Sequence, residues 1–289
     1  MIDRLLICTD LDRTLIPNGP QSESHGARKH FTSLISRPEV TLTYVSGRHR
    51  ALIEKAISHY DLPQPDFVVG DVGTSIYHVG TDQDWQRQIA WEKEIATDWG
   101  NKSHADLKQL LHDIKELRLQ EHTKQNQYKL SYYIPLKSVQ DSLSVLIRER
   151  LSQVNVRASL IWSVDEPNGI GLLDILPERA TKFHAVESLM KEHMFDLDNT
   201  VFCGDSGNDI EVMASAIPAV LVANSQADVK QLASKLAYSN GYGEQLYIAQ
   251  GNFMGMNGNY ASGMLEGIAH YYPESINWMG FDEQRSDRS

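Results

Sequence analysis

The sequence predicts an α/β fold: a Rossmann-like, doubly wound parallel sheet as the core, with an α+β cap domain inserted into it. Three observations carry this. Short apolar runs alternate with amphipathic stretches at both ends of the chain, the middle breaks that alternation, and two apolar runs end in acidic clusters. Strand–helix alternation builds a parallel sheet covered by helices on both faces. With 289 residues, the chain suits two domains, or one core with a large insertion.

The first strand is 5–9, running straight into Asp10-Leu11-Asp12. Residues 24–36 follow as a helix, with His30, Phe31, Leu34 and Ile35 on one stripe, and a second strand at 41–45 ends in Ser46-Gly47-Arg48. The helix 50–60 carries Leu52, Ala56 and Ile57 on one side and leads to a third strand, 67–69. The pattern returns later as a helix at 181–193, a strand at 201–204, a helix at 209–216 and a strand at 219–223. In between, Leu107, Leu110, Leu111, Ile114 and Leu117 mark one helix, and Val139, Leu143, Leu146 and Ile147 a second. Each is followed by a strand, 128–134 and 156–163, and the run 171–176 leads back to the alternating pattern. Residues 1–79 and 171–289 are therefore assigned to the core and 80–170 to the cap. The tail from Glu283 is polar and is expected to fray.

Composition narrows the function. Hydrophobic residues at 41% and charged residues at 22% are enough for a packed core. The 27 basic against 38 acidic residues, a net charge of −11, argue against a nucleic-acid partner, since phosphate-backbone affinity comes from clustered Lys and Arg. Cys8 and Cys203 sit inside apolar runs and read as buried, reduced thiols. With no signal peptide and no long apolar span, the expectation is a cytoplasmic protein that does not engage a membrane, and a monomer. The eleven histidines show no ligand spacing. Trp85, Trp91 and Trp99 are expected to pack within the cap, and Met254, Met256 and Met264 to fill gaps in the interior.

The chemistry concentrates at strand ends. In parallel α/β sheets, ligands bind beyond the carboxyl ends of the strands, where Asp10 and Asp12 fall. One carboxylate at such a place can attack phosphorus while the other handles protons, although alone the pair fits a turn cap equally well. The strand at 201–204 ends in a second acidic cluster, Asp205-Ser206-Gly207-Asn208-Asp209. Two acidic strand ends side by side repel unless a cation lies between them, and an oxygen-rich site of this kind suits Mg²⁺. EF-hand spacing, the mark of a calcium loop, is missing. Ser46 and Gly47 offer a hydroxyl and a backbone N–H for an anion at a helix start, and Lys182 offers positive charge toward the same crevice. Each of these alone is more often a turn or a solvated charge.

The order DLDRT, SGR, Lys182 and GDSGND resembles the haloacid dehalogenase superfamily of aspartate-nucleophile phosphohydrolases, with a type 2 cap between its second and third motifs. Within it, VGTSIYH, YKLSYYI, LLDILP, CGDSGNDIEV, VANSQADV and ASGMLEGIAHY resemble segments of the sucrose-6-phosphate phosphatase family in that family's order, over most of residues 1–272. The resemblance implies a Mg²⁺-dependent phosphatase. Asp10 would be the nucleophile and Asp12 the general acid. Asp10, the Asp12 carbonyl and Asp205 would hold the metal, with Asp209 in support. Thr14, Ser46, Gly47, Lys182 and Asn208 would hold the phosphoryl group, while Arg48, Lys129 and Ser131 would meet a sugar. The partner implied is a small sugar phosphate. The alternatives are a phosphatase of another compatible-solute phosphate (glucosylglycerate or mannosylglycerate type), a phosphomutase, and a non-catalytic sugar-phosphate sensor. The chain departs from the family in having Arg13 where Asn is usual, Ser75 where Glu is usual, Phe183 where Gly is usual, and a Gly-rich insertion around 240–258.

Overall fold

The computed structural model describes residues 3–80, 82, 84–136, 140–165 and 168–281. The first part of the chain forms β1 (Leu5–Thr9), α1 (Ala27–Ile35), β2 (Val40–Val45), α2 (Arg50–Tyr60), β3 (Phe67–Gly70), β4 (Ser75–Val79) and β5 (Trp85–Arg87). The middle forms α3 (Ile89–Ala96), α4 (His104–Leu110), β6 (Arg118–Leu119), β7 (Leu130–Ile134), α5 (Gln140–Gln153), β8 (Ala158–Asp165) and β9 (Ile170–Pro177). The last part forms α6 (Lys182–Glu192), β10 (Thr200–Gly204), α7 (Ile210–Met213), β11 (Ala219–Leu221), α8 (Ala227–Ser239), β12 (Leu246–Ile248) and α9 (Ala261–Tyr271).

An eight-stranded sheet has the order β12-β11-β10-β1-β2-β3-β4-β5. The strands from β12 to β3 pair in parallel, and β4 and β5 add an antiparallel edge. The residues of β1 alternate between the two faces, as a period of two requires. Leu5 and Ile7 join a core with Phe31, Leu34, Ile53, Leu265 and Ile268, whereas Leu6 and Cys8 join one with Val186, Leu189, Val212 and Met213. Burial on both faces explains the uninterrupted apolar runs. A second, antiparallel sheet has the order β6-β7-β9-β8 and packs one face on α4 and α5 through Leu107, Leu143, Ile147 and Leu151.

Several expectations are corrected. Trp85–Arg87 extends the large sheet, and Ile170–Pro177 belongs to the small one. Hydrogen bonding therefore places the passages between the sheets after residue 87 and after 177, rather than at 80 and 170. Trp85 and Trp91 pack in the clusters of the large sheet, and of the three tryptophans Trp99 alone packs in the cap. The helix expected through Leu117 stops at Leu110, and turns carry Leu111 and Ile114 into the same cap core. The helix expected over 209–216 is α7, preceded by a tight turn at Gly207–Asp209. The 240–258 stretch supplies the edge strand β12. Met256 and Met264 are buried, but Met254 is exposed. Val139 and the tail from Glu283 lie outside the described residues.

Both cysteines are free and buried. No helix among the described residues is long and apolar enough to cross a membrane. The chain into the small sheet and the chain out of it are tied at one point. The buried Asp98 carboxylate accepts the Arg179 backbone N–H at 2.8 Å, Arg179 Nε at 3.2 Å and Arg157 Nη2 at 2.5 Å.

Candidate active site

From β1 the chain proceeds to β2 and β3 on one side of the large sheet, then returns to β10 and β11 on the other. That reversal opens a crevice at the carboxyl ends of β1 and its neighbours. Asp10 follows β1, Ser46 follows β2, Asp71 follows β3 and Asp205 follows β10. Parallel register keeps these ends level, with Thr9 opposite both Cys203 and Tyr44.

Asp10, Asp205 and Asp209 are buried, and each offers an oxygen within 4.8 Å of the others. Lys182, the first residue of α6, is buried among them, its Nζ 3.1 Å from Asp10 Oδ1 and 2.6 Å from Asp209 Oδ1. Thr181 caps that helix by accepting the His184 N–H, which fixes where the lysine departs. The second oxygen of Asp209 accepts the N–H groups of Asp205 at 3.2 Å and Ser206 at 3.1 Å. Gly204 makes that approach possible, because a Cβ there would lie 2.6 Å from Asp209 Oδ2.

The electrostatics follow from three carboxylates sharing one ammonium. Burial, with Asp209 and Asp205 nearby, pushes the Asp10 carboxyl up to about 8, against the pull of Lys182. Burial and Asp209 push Asp205 up to about 6, opposed by Arg13 and Lys182. Burial pulls the Lys182 ammonium down, but Asp10 and Asp209 outweigh it and hold it above its ordinary value. A cluster of hard oxygen donors with surplus negative charge fits a Mg²⁺-like cation.

Asp12 is in a different setting. Arg48 grips it with Nε at 2.7 Å and Nη2 at 2.6 Å, and Asn18 Nδ2 donates to it at 2.7 Å. Arg48, expected to face a sugar, is thus paired with Asp12. Ser46 is buried and its Oγ accepts the Arg48 N–H at 3.2 Å, while Gly47 lies between them with Val72 Cγ2 as neighbour. Thr14 Oγ1 lies 3.5 Å from Asp205 Oδ1. Asn208 is exposed at the rim and accepts from Lys182 at 3.3 Å.

Lys129 reaches across from the cap, with its Nζ 3.9 Å from Asp71 and 3.8 Å from Asp174. Ser131, expected to contact sugar, is buried instead, its hydroxyl 2.5 Å from Asp174 and its N–H donating to Gln125. Sequence reasoning missed Asp174, Asn18 and Asp71. Asp71 begins three consecutive left-handed residues, with φ of 52° at Asp71, 63° at Val72 and 105° at Gly73. Asp71 N–H bonds the Arg48 carbonyl, Val72 N–H the Ser46 carbonyl, and a Cβ on Gly73 would lie 2.6 Å from the Thr181 backbone. The turn is therefore wedged between the ends of β2 and the start of α6. Asn126 of the cap also donates to Thr74 there, at 2.8 Å.

The sequence profile of the sucrose-6F-phosphate phosphohydrolase family matches residues 3–272. The chain belongs to this family of phosphatases. A Nitrosococcus oceani protein named only as an HAD-like hydrolase is 51% identical over 286 residues, covering 99% of this chain and 76% of that one. Sucrose-phosphatase 1 of Nicotiana tabacum is 29% identical over 238 residues, covering 79% of this chain and 52% of the tobacco protein, so the chain spans about half of that relative. The same fold occurs in the sucrose-phosphatase of Synechocystis sp. PCC6803, solved with sucrose and phosphate. Its TM-score is 0.72 and its identity 24%, with 93% of this chain and 98% of that one covered.

Proposed function

We propose that this chain is a Mg²⁺-dependent phosphatase of a sugar phosphate, with sucrose-6-phosphate as its first substrate, working through an aspartyl-phosphate on Asp10. The observation that carries this is the set of three buried carboxylates around one buried ammonium at a strand end, with Asp12 two residues from Asp10. Family membership and the sucrose-phosphatase relative support the substrate class.

Asp10, the Asp12 carbonyl and Asp205 would hold the metal, and Asp209 would steady Lys182 and the Asp205 loop. Bound Mg²⁺ supplies charge neutralisation of the phosphoryl oxygens. Asp10 attacks phosphorus, while Lys182, Thr14, Asn208, the Ser46 hydroxyl and the Gly47 N–H hold the phosphoryl oxygens. Asp12 donates a proton to the sugar oxygen as its bond to phosphorus breaks, and then takes one from the water that attacks phosphorus and frees Asp10 and phosphate. It must first leave the Arg48 fork that holds it. Lys129 and Asp174 face the sugar from the cap, with Ser131 orienting Asp174.

Phosphate release from sucrose-6-phosphate, other disaccharide phosphates and hexose phosphates tests this, each with Mg²⁺ and with excess chelator. The highest kcat/KM is expected for sucrose-6-phosphate, with no turnover in chelator. Preference for a hexose phosphate would overturn the substrate, and turnover in chelator would overturn the metal.

A further inference from the structure

Arg13 stands beside the carboxylate cluster without a task in that chemistry. Its backbone is left-handed, with φ 58°, a conformation uncommon outside glycine and asparagine. Two side chains hold it there: Asn18 Oδ1 accepts the Arg13 N–H at 2.8 Å, and Asn224 Nδ2 donates to the Arg13 carbonyl at 2.7 Å. The result aims the side chain at the metal-ligand candidate Asp205, with Nε 3.6 Å from Oδ2. That nitrogen is buried and has no hydrogen-bond partner among the described residues. Gly19 is a near neighbour, where a Cβ would come 3.5 Å from Arg13 Nε and 2.8 Å from the Tyr260 hydroxyl.

We propose that Arg13 sets the affinity of the cluster for its divalent cation, as a resident positive charge beside which Mg²⁺ must bind; this rests on the metal reading above. Fully ionised, as they would be around a bound cation, the three carboxylates and Lys182 sum to two negative charges, and Arg13 reduces that to one. Asp12 adds little to this sum, because Arg48 already neutralises it. A cation near Asp205 raises the free energy of a second cation there through plain Coulomb repulsion, weakened by the third of the Arg13 side chain that is in water. Arg13 therefore keeps the metal exchangeable, and in the metal-free protein it limits the repulsion between Asp205 and its neighbours.

The test is calorimetric titration of the full chain with MgCl₂ alone, without substrate, for wild type, Arg13→Asn and Arg13→Lys. Asparagine accepts the left-handed backbone while removing the charge, and lysine keeps the charge. Arg13→Asn is expected to bind Mg²⁺ about tenfold more tightly, and Arg13→Lys within about twofold of wild type. A role confined to shaping the loop would weaken binding in both variants, and that result overturns the proposal. So does unchanged affinity in Arg13→Asn while wild type binds Mg²⁺ normally. Absence of Mg²⁺ binding in all three proteins would instead overturn the metal reading, and the proposal with it.

Discussion

Helix α6 begins at Lys182, buried between two carboxylates, and ends beside Met194, a residue 80% exposed. Its first residue lies in the crevice. Its far end lies beside the start of β1, where the His193 carbonyl accepts Arg4 Nη2 at 2.9 Å and Arg4 stacks over Phe195. Both ends depart from easy local chemistry, but in different ways. At the crevice, the departure is uncompensated charge, which native packing and Lys182 only partly relieve. At the far end, it is backbone: Met194 has φ 56° in a helix-ending turn, where the Phe195 N–H bonds the Met190 carbonyl. Strain at the first end is coupled to chemistry. At the second it is incidental, so substitution should cost activity at the first end and leave it unchanged at the second.

The largest effect is expected at Asp10. Asp10→Asn should lower turnover of the best sugar phosphate by about 10⁴-fold or more, since an amide cannot form an acyl-phosphate. Its melting temperature in chelator should stay level or rise, because a crowded negative charge has been removed. Asp12→Asn should cost about 10²–10⁴-fold, with a smaller loss on an activated aryl phosphate that leaves without a proton. Equal losses of Asp12→Asn on the two substrates would contradict the acid role.

An intermediate effect concerns pH. A carboxyl whose folded pKa lies above its unfolded value binds protons more readily when folded, so stability is lost as pH rises between the two values. For Asp205 the folded value is about 6 and for Asp10 about 8, against an ordinary value of 3.8 for both. Metal-free protein should therefore melt progressively lower as pH climbs from about 4 to about 8. Added Mg²⁺ should raise the melting temperature more at pH 8 than at pH 5. A melting temperature in chelator that rises over this range would mean that the cluster is not carrying surplus negative charge.

The smallest effect belongs to the far end. Met194→Gly should stabilise the fold by about 1 kcal/mol in chemical denaturation, because glycine adopts the left-handed turn without strain and the exposed side chain leaves little packing behind. Activity should be unchanged.

The sequence made five of the six parallel strands of the large sheet legible, because strands buried on both faces are written as apolar runs such as Leu5–Cys8. It also made the carboxylate cluster legible, since Asp10 and Asp205 each follow such a run directly. Trp85–Arg87 and Leu246–Ile248 were hidden, because three residues at a sheet edge carry too little periodicity to register. Asp71 was missed although it follows β3 as Asp10 follows β1; acidity at a third neighbouring strand end was the available signal. The left-handed turn after it could not be read from DVGT, since tertiary hydrogen bonds to Ser46 and Arg48 impose it. Likewise, nothing in a linear reading says that Arg48 turns to Asp12, thirty-six positions away.

The Asp98 carboxylate gives residues 98–179 a neck. Both ends of that long excursion are fastened at a single buried anion through the Arg179 backbone and side chain, with Arg157 fastened beside them. The entropy of closing a loop rises only with the logarithm of its length, so residues gained or lost inside the neck change its closure little. The strand ends bearing Asp10 and Asp205 lie outside it. The lobe is thus a replaceable cassette: its interior can be rewritten while the strand ends bearing Asp10 and Asp205 keep their coordinates.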